Sequence, residues 1–290
     1  MAFLFGRRAV LQMGVAEIMG AMMGPPGMQT KEIEGLRISF KVEKSNQPEP
    51  NNAEISVWNL SRDTRSSFLS QGSVPLVLQA GYGDDIAQIF TGDVKPGGIT
   101  IARDGADWVT TFKAGDGCEA YRTARIQESF QRGTALTAVF ERLARSLGKE
   151  LGPSLARIQA GDVKGALLSF FGGTALSGSV KDELDRVCAS TGTEWSIQND
   201  QLQIIAKGGL LPDPVVLLSP DTGLIGSPEP GKDGIIKIRA LLQPQLKPLG
   251  RVQVAEAQSR NGTYGVFKLT HSGDTHGQDW YTDCEARAVT

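Results

Sequence analysis

The chain's two histidines offer the most chemistry. They fall in His271-Ser272-Gly273-Asp274-Thr275-His276, with Asp279 close behind. Imidazole and carboxylate together suit zinc, so the stretch can be drawn as a metal site, and a hydrolase would use His271, Asp274 and His276. The spacing favours a plainer role. The HExxH pattern that sets two imidazoles on one helix face is absent, and the glycine in this stretch suits a solvated loop. Nucleophilic catalysis finds no GxSxG elbow, because Gly178-Ser179-Val180 reads as a helix cap. Phosphate-cradling loops are missing too: Gly81-Tyr82-Gly83 lacks a third glycine and leads into a strand. Asp84-Asp85 sits in a hairpin turn, whereas a glycosidase needs carboxylates facing each other across a cleft. Cys118, Cys188 and Cys284 are odd in number and far apart without a CxxC pair, so they read as small buried hydrophobes in a reducing compartment. Trp58, Trp108, Trp195 and Trp280 lie in strand-like stretches and suit packing better than a carbohydrate platform, which Trp58 or Trp280 would otherwise anchor. No catalytic, cofactor-binding or metal-ligating residue is assigned, and no cofactor is expected.

Charge and composition narrow the function classes further. The 290 residues carry 30 Lys and Arg against 32 Asp and Glu, a net charge of −2, which excludes a polyanion binder working by bulk charge. Arg122, Arg125, Arg142 and Arg145 then read as solvated faces. Hydrophobic residues at 40% mark a globular chain, and 35 glycines mark many turns. Gln12, Glu17 and glycines interrupt the apolar stretch after Arg7-Arg8, so a signal peptide is not expected. No run reaches the length of a membrane span, so the expectation is a soluble protein made in a cytoplasm, without stable membrane insertion.

Periodicity divides the chain. All six methionines fall within residues 1–28, interleaved with glycine, which predicts an adaptable arm or a frayed end with a short helix near residues 8–20. From residue 29 to 115 strands alternate: Leu36, Ile38, Phe40 and Val42 share one face, and further strands fall near residues 53–59, 74–80, 88–94, 99–102 and 108–114. Ser61 is positioned to cap a short helix through Phe68. Residues 116–206 switch to a helical period. Leu136, Val139, Phe140, Leu143 and Leu147 share a face behind a Thr134 cap, and a second helix starts at Ser179. A hairpin then turns at Asn199-Asp200, while the apolar, glycine-rich residues 165–178 read as a mobile loop or a contact patch. Five prolines make residues 207–234 a linker without regular structure. Alternation returns over residues 235–290. The fold class is α+β, predominantly β: two similar small antiparallel β-barrels with an inserted α+β domain.

The two β regions resemble each other. Residues 105–114 lie on 277–286 without a gap, with Gly, Asp, Trp, Thr and Ala coinciding. Three such chains about an axis would present six similar barrels, which is what an adaptor between sixfold and threefold assemblies needs.

Several weak motifs in fixed order carry a family resemblance. Asn51-Asn52-Ala53-Glu54-Ile55-Ser56-Val57-Trp58-Asn59-Leu60-Ser61, then Ile89-Phe90-Thr91-Gly92-Asp93-Val94, then Phe112-Lys113-Ala114-Gly115-Asp116-Gly117 with Ala120-Tyr121-Arg122, resemble the first half of baseplate hub proteins of tailed phages and tail-like particles. Residues 264–282 are similar to the end of that family's second tube-like domain. The resemblance implies a homotrimeric, non-enzymatic virion protein of the tail baseplate, assembled in the host cytoplasm. It implies two tube-like barrels per chain, which meet the sixfold tail tube or a distal tail ring on one side and a threefold central spike on the other. The tape-measure protein is a further expected partner, for residues 1–28. DNA would pass through the lumen without sequence-specific binding. The alternatives are a tail-tip or envelope-associated hydrolase using the His271, Asp274 and His276 loop, and a carbohydrate-binding module.

Overall fold

The computed structural model describes residues 6–14, 31–69, 74–152, 173–211, 213–255 and 257–289. Two compact units emerge, one of residues 1–45, 51–116 and 213–290, the other of residues 46–50 and 117–212.

The first unit is a 13-stranded sheet. Its first strands are β1 (Arg7–Met13), β2 (Lys31–Ile33), β3 (Ile38–Ser45), β4 (Asn52–Trp58), β5 (Pro75–Tyr82), β6 (Asp85–Asp104) and β7 (Asp107–Gly115). From the C-terminal region come β13 (Val216–Leu218), β14 (Leu224–Pro230), β15 (Ile236–Leu241), β16 (Arg251–Val254), β17 (Gly262–Asp274) and β18 (Trp280–Ala288). Alternation sets the faces: on β3, Ile38, Phe40 and Val42 are buried while Lys41 is exposed.

Pairing repeats between the two regions. β3 pairs β4, β4 pairs β7, β7 pairs β6 and β6 pairs β5, all antiparallel. β14 pairs β15, β15 pairs β18, β18 pairs β17 and β17 pairs β16, again all antiparallel. The similarity of residues 105–114 to 277–286 thus continues into topology. Thr110, Phe112 and Ala114 are buried as are Thr282, Cys284 and Ala286. Each set keeps its own apolar core, with Phe40, Ile55, Phe90 and Phe112 in the first and Ile238, Val252, Leu269 and Cys284 in the second. The sets join through β17 and β3, with His271 opposite Val42 and Leu269 opposite Lys44. No pairing among the described residues closes either set into a ring; the path runs open from β14 to β2.

Three sequence expectations are corrected. The helix near residues 8–20 is, over Arg7–Met13, strand β1, paired to β5 and β2 within the chain's own sheet, so this stretch is not a free arm. Val10 is buried on one face of this strand and Ala9, Leu11 and Met13 on the other, so alternation is lost. Residues 15–28 of the expected arm lie outside the described residues. The proline-rich stretch 207–234 carries β13 and β14, and Pro228 and Pro230 are tolerated because β14 is the sheet's edge. Thr134 does not cap the following helix: its hydroxyl donates to the Gln131 carbonyl at 2.7 Å, and Ala135 takes the cap position.

Ser61 does cap helix α1 (Arg62–Leu69), accepting from the Thr64 amide at 3.1 Å. The second unit holds α2 (Cys118–Thr123), α3 (Leu136–Ser146) and α4 (Val180–Thr191) with strands β8 (Arg125–Phe130), β9 (Glu150–Leu151), β10 (Thr174–Ser179), β11 (Thr193–Gln198) and β12 (Gln201–Ala206). β8 pairs β10, and the β11–β12 hairpin turns at Asn199 and Asp200 with φ of 50° and 69°. Val139, Phe140, Leu143, Leu184 and Val187 pack with Trp195 and Ile204. Of the expected loop 165–178, residues 165–172 lie outside the described residues, and β10 begins at Thr174.

Candidate functional site

The histidine stretch does not form one site. His271 and Asp274 are three residues apart near the end of β17, so alternation sends them to opposite faces. His271 is fully buried, with Nδ1 2.9 Å from the Thr282 hydroxyl. Burial, then the charge of Lys44, pushes its pKa down to about 3. Asp274 closes the hairpin turn, accepting from the His276 amide at 2.9 Å, the Gly277 amide at 3.0 Å and Arg37 Nη2 at 2.7 Å. Partial burial opposes its ionisation, but the Arg37 and amide hydrogen bonds outweigh it and hold the carboxyl below its usual range. His276 is exposed, its Nδ1 3.0 Å from the Thr275 hydroxyl. Among the described residues no three His, Cys, Asp or Glu side chains are grouped to hold a metal.

The other candidates also have structural surroundings. Burial pushes the Cys188 and Cys284 thiols up to about 12, where they are poor nucleophiles. Asp84 and Asp85 are exposed at the β5–β6 turn. The tryptophans do not form one platform. Trp58 lies under Arg37 at 4.2 Å, and Trp195 donates to Asp185 at 2.8 Å. Trp280 is fully buried edge-on to Phe40 at 5.4 Å. Trp108, its counterpart in the first set, is 39% exposed between Arg65 and Arg103.

The sheet's polar face is what the geometry builds. Strands β15, β18, β17, β3, β4 and β7 are consecutive neighbours and turn their charged residues to the same side. Lys237 lies opposite Glu285, Arg239 opposite Asp283, Lys41 opposite Glu54, and Glu54 opposite Lys113. Lys268 also faces Glu285 across β17 and β18, and Lys41 contacts Glu43 at 2.7 Å. The hydrogen bond with Glu43 raises the Lys41 pKa and lowers that of Glu43. A recess of ≈ 600 Å³ opens on this face beside Lys237, Arg239, Lys268, Asp283 and Glu285. Opposite charges face each other across and along the strands, so the face is densely charged yet nearly balanced and offers no run of cations to grip phosphates. The signal in the sequence was the polar half of each alternating strand, which carries meaning only once the strand order is known.

Beneath this face is a buried polar group that the sequence reading missed. Lys44 Nζ donates to the Ile89 carbonyl at 3.0 Å, with Asp116 and Asn51 also buried. Burial lowers the Lys44 pKa to about 8 against the opposing pull of Asp116. No helix among the described residues is long and apolar enough to cross a membrane.

Known structures share the architecture. A 43 kDa tail protein of prophage MuSo2 from Shewanella oneidensis aligns over 98% of this chain and 97% of its own at 10% identity and a TM-score of 0.63. A tail protein of Neisseria meningitidis MC58 aligns over 97% and 96% at 10% identity and 0.61. An Escherichia coli component of the type VI secretion system, described as similar to the T4 bacteriophage tail proteins gp27 and gp5, aligns over 88% and 74% at 8% identity and 0.57. Identity this low speaks to fold alone. No curated protein matches the chain. The family model described as baseplate hub gp41 matches residues 19–286, and the chain belongs to that baseplate hub family.

Proposed function

We propose that the chain is the structural hub closing a phage tail or tail-like tube, a homotrimer that joins the sixfold tube or a distal tail ring to a threefold central spike. The duplicated strand pairing carries this reading: two like five-stranded sets per chain give six like sets about a threefold axis. On this reading each set is one tube-like barrel unit, completed by its neighbours in the ring. Residues 29–115 and 235–290 supply the two units and residues 116–206 the inserted domain. The balanced polar face lines the lumen, where DNA slides past without being held. The role is geometric, not enzymatic, in keeping with the separate surroundings of His271, Asp274 and His276. A contact between residues 1–28 and the tape-measure protein belongs to the same proposal.

Cryo-electron microscopy of the tail particle tests it. Three copies at the tube's baseplate end, with the polar face inward, are expected. Density elsewhere along the tail, or a copy number other than three, refutes the reading.

A further inference from the structure

The internal repeat exposes a mismatch between the two sets. In the second set, β17 pairs β16 near its start and β3 over residues 268–274, so the later half of the strand is flanked on both sides. Its counterpart β6 pairs β5 up to Asp93, but residues 99–104 pair β7 alone among the described residues. The strand equivalent to β3 in the second set is β14, and among the described residues β14 has no strand beyond it. Each chain therefore has one open edge of each kind, one at the β14 end of the sheet path and one along the later half of β6.

Side chains at both edges match this picture. Inside the chain, Trp280 is wholly covered, with Phe40 of β3 against it. At the open edge its counterpart Trp108 is 39% exposed and Ile101 is 36% exposed. At the other edge, Ile225 of β14 is 38% exposed. An exposed tryptophan flanked by Arg65 and Arg103 has the composition of a contact centre.

We infer that the open edge at residues 99–104, with Trp108, seats the β14 segment of a second copy of this chain. The internal joint fixes the register. His271 lies opposite Val42 and Ser272 opposite Lys41. The equivalent pairs are Ile101 opposite Pro230 and Ala102 opposite Glu229, since these residues hold matching places against β7, β15 and β18. The contact is heterologous, head to tail, and closes a ring of three on the hub reading above, on which the number three rests.

Backbone chemistry makes this joint different from the internal one. The Gly231 amide turns to the Ile235 carbonyl on the β15 side, so Pro230 and Pro228 turn to the open edge, where neither has an N–H to give. The Pro228 carbonyl already accepts from Arg260 at 3.2 Å. Side chains must supply most of the contact, and the prolines guard the edge against indiscriminate strand pairing.

Disulfide trapping tests the register. Ala102→Cys and Glu229→Cys, both at exposed sites, are placed together in the full chain with Cys118→Ser, oxidised, and read by non-reducing gel beside light scattering. The expected result is a covalent trimer only when both cysteines are present, with Trp108→Glu removing the trimer peak. Three results would overturn the inference: a trimer by light scattering that does not cross-link, cross-linking with either cysteine alone, or a monomer at every concentration. The hub reading is judged separately by the particle's density, so it stands or falls without this register.

Discussion

His271 makes unit stability depend on pH in a way that can be isolated. Its imidazole is fully buried beside Lys44, which holds its pKa near 3 against an ordinary value of 6.5. A depressed histidine pKa means that, on acidification, the unfolded chain takes up the proton first. Stability is therefore full above pH 6.5 and falls as the pH drops from there toward 3. At about 1.4 kcal/mol per pH unit, the loss due to this residue between pH 7.5 and 5 is about 2 kcal/mol. Asp274 acts below this window, because its carboxyl is held under an ordinary value of 3.8. His271→Gln keeps a polar group near the Thr282 hydroxyl and removes the titration. Urea unfolding by tryptophan fluorescence at pH 7.5, 6.5, 5.5 and 5 is the assay, and subtracting variant from wild type cancels the second unit. The wild type should lose about 2 kcal/mol more than the variant, a midpoint shift on the order of 1 M urea. Equal losses in the two proteins would refute the reasoning, since the imidazole would then be hydrated or already protonated in the fold.

The repeat offers an internal comparison. Trp280→Ala removes a fully buried indole from beside Phe40 and should cost about 3 to 5 kcal/mol, whereas Trp108→Ala, at the equivalent but uncovered place, should cost about 1 to 2; thermal unfolding of the two variants measures the gap, and equal costs would deny the difference in burial. Gly273→Ala would place its Cβ 2.3 Å from Phe40 Cζ and 2.8 Å from Trp280 Cε3, so the same melts should show a loss of about 1 to 3 kcal/mol.

Local pattern was legible in the sequence, and distant pairing was not. Ile38, Phe40 and Val42 announced β3, and Leu136, Val139, Phe140 and Leu143 announced α3, because each element buries one side only. Asn199-Asp200 gave its hairpin because both residues tolerate positive φ. Strand β1 carries no alternation because Val10 is buried on one face and Ala9, Leu11 and Met13 on the other. The two strands expected at 88–94 and 99–102 are one strand, β6, with a register shift between Val94 and Ile99 that a glycine-containing stretch disguises as a turn. The β3–β17 joint links residues more than 200 positions apart and leaves no local mark. Strict alternation did contain one clue that went unread: Lys44 follows Val42 and His271 follows Leu269 on the buried face, so both polar residues belonged inside.

Those two residues bear on how duplicated halves avoid confusion. A chain with two like sets carries two similar edges and two similar strands, and any edge could accept either strand if apolar fit alone decided. The internal joint differs from the open edges in its chemistry. β17 brings His271 to the Thr282 hydroxyl beside the charge of Lys44, which β3 carries with its nitrogen committed to the Ile89 carbonyl. Ile101 stands where His271 would be in the first set, and β14 ends in proline where β3 continues to Lys44. A β14 strand laid in the place of β3 would lack the amide of residue 42, because Pro230 stands there, an unsatisfied cost of about 1 to 3 kcal/mol if the partner carbonyl is buried. β3 can complete the ladder and β14 cannot, so the internal joint forms as the chain folds. The proline-bearing edge of β14 lacks the amides that such a ladder needs.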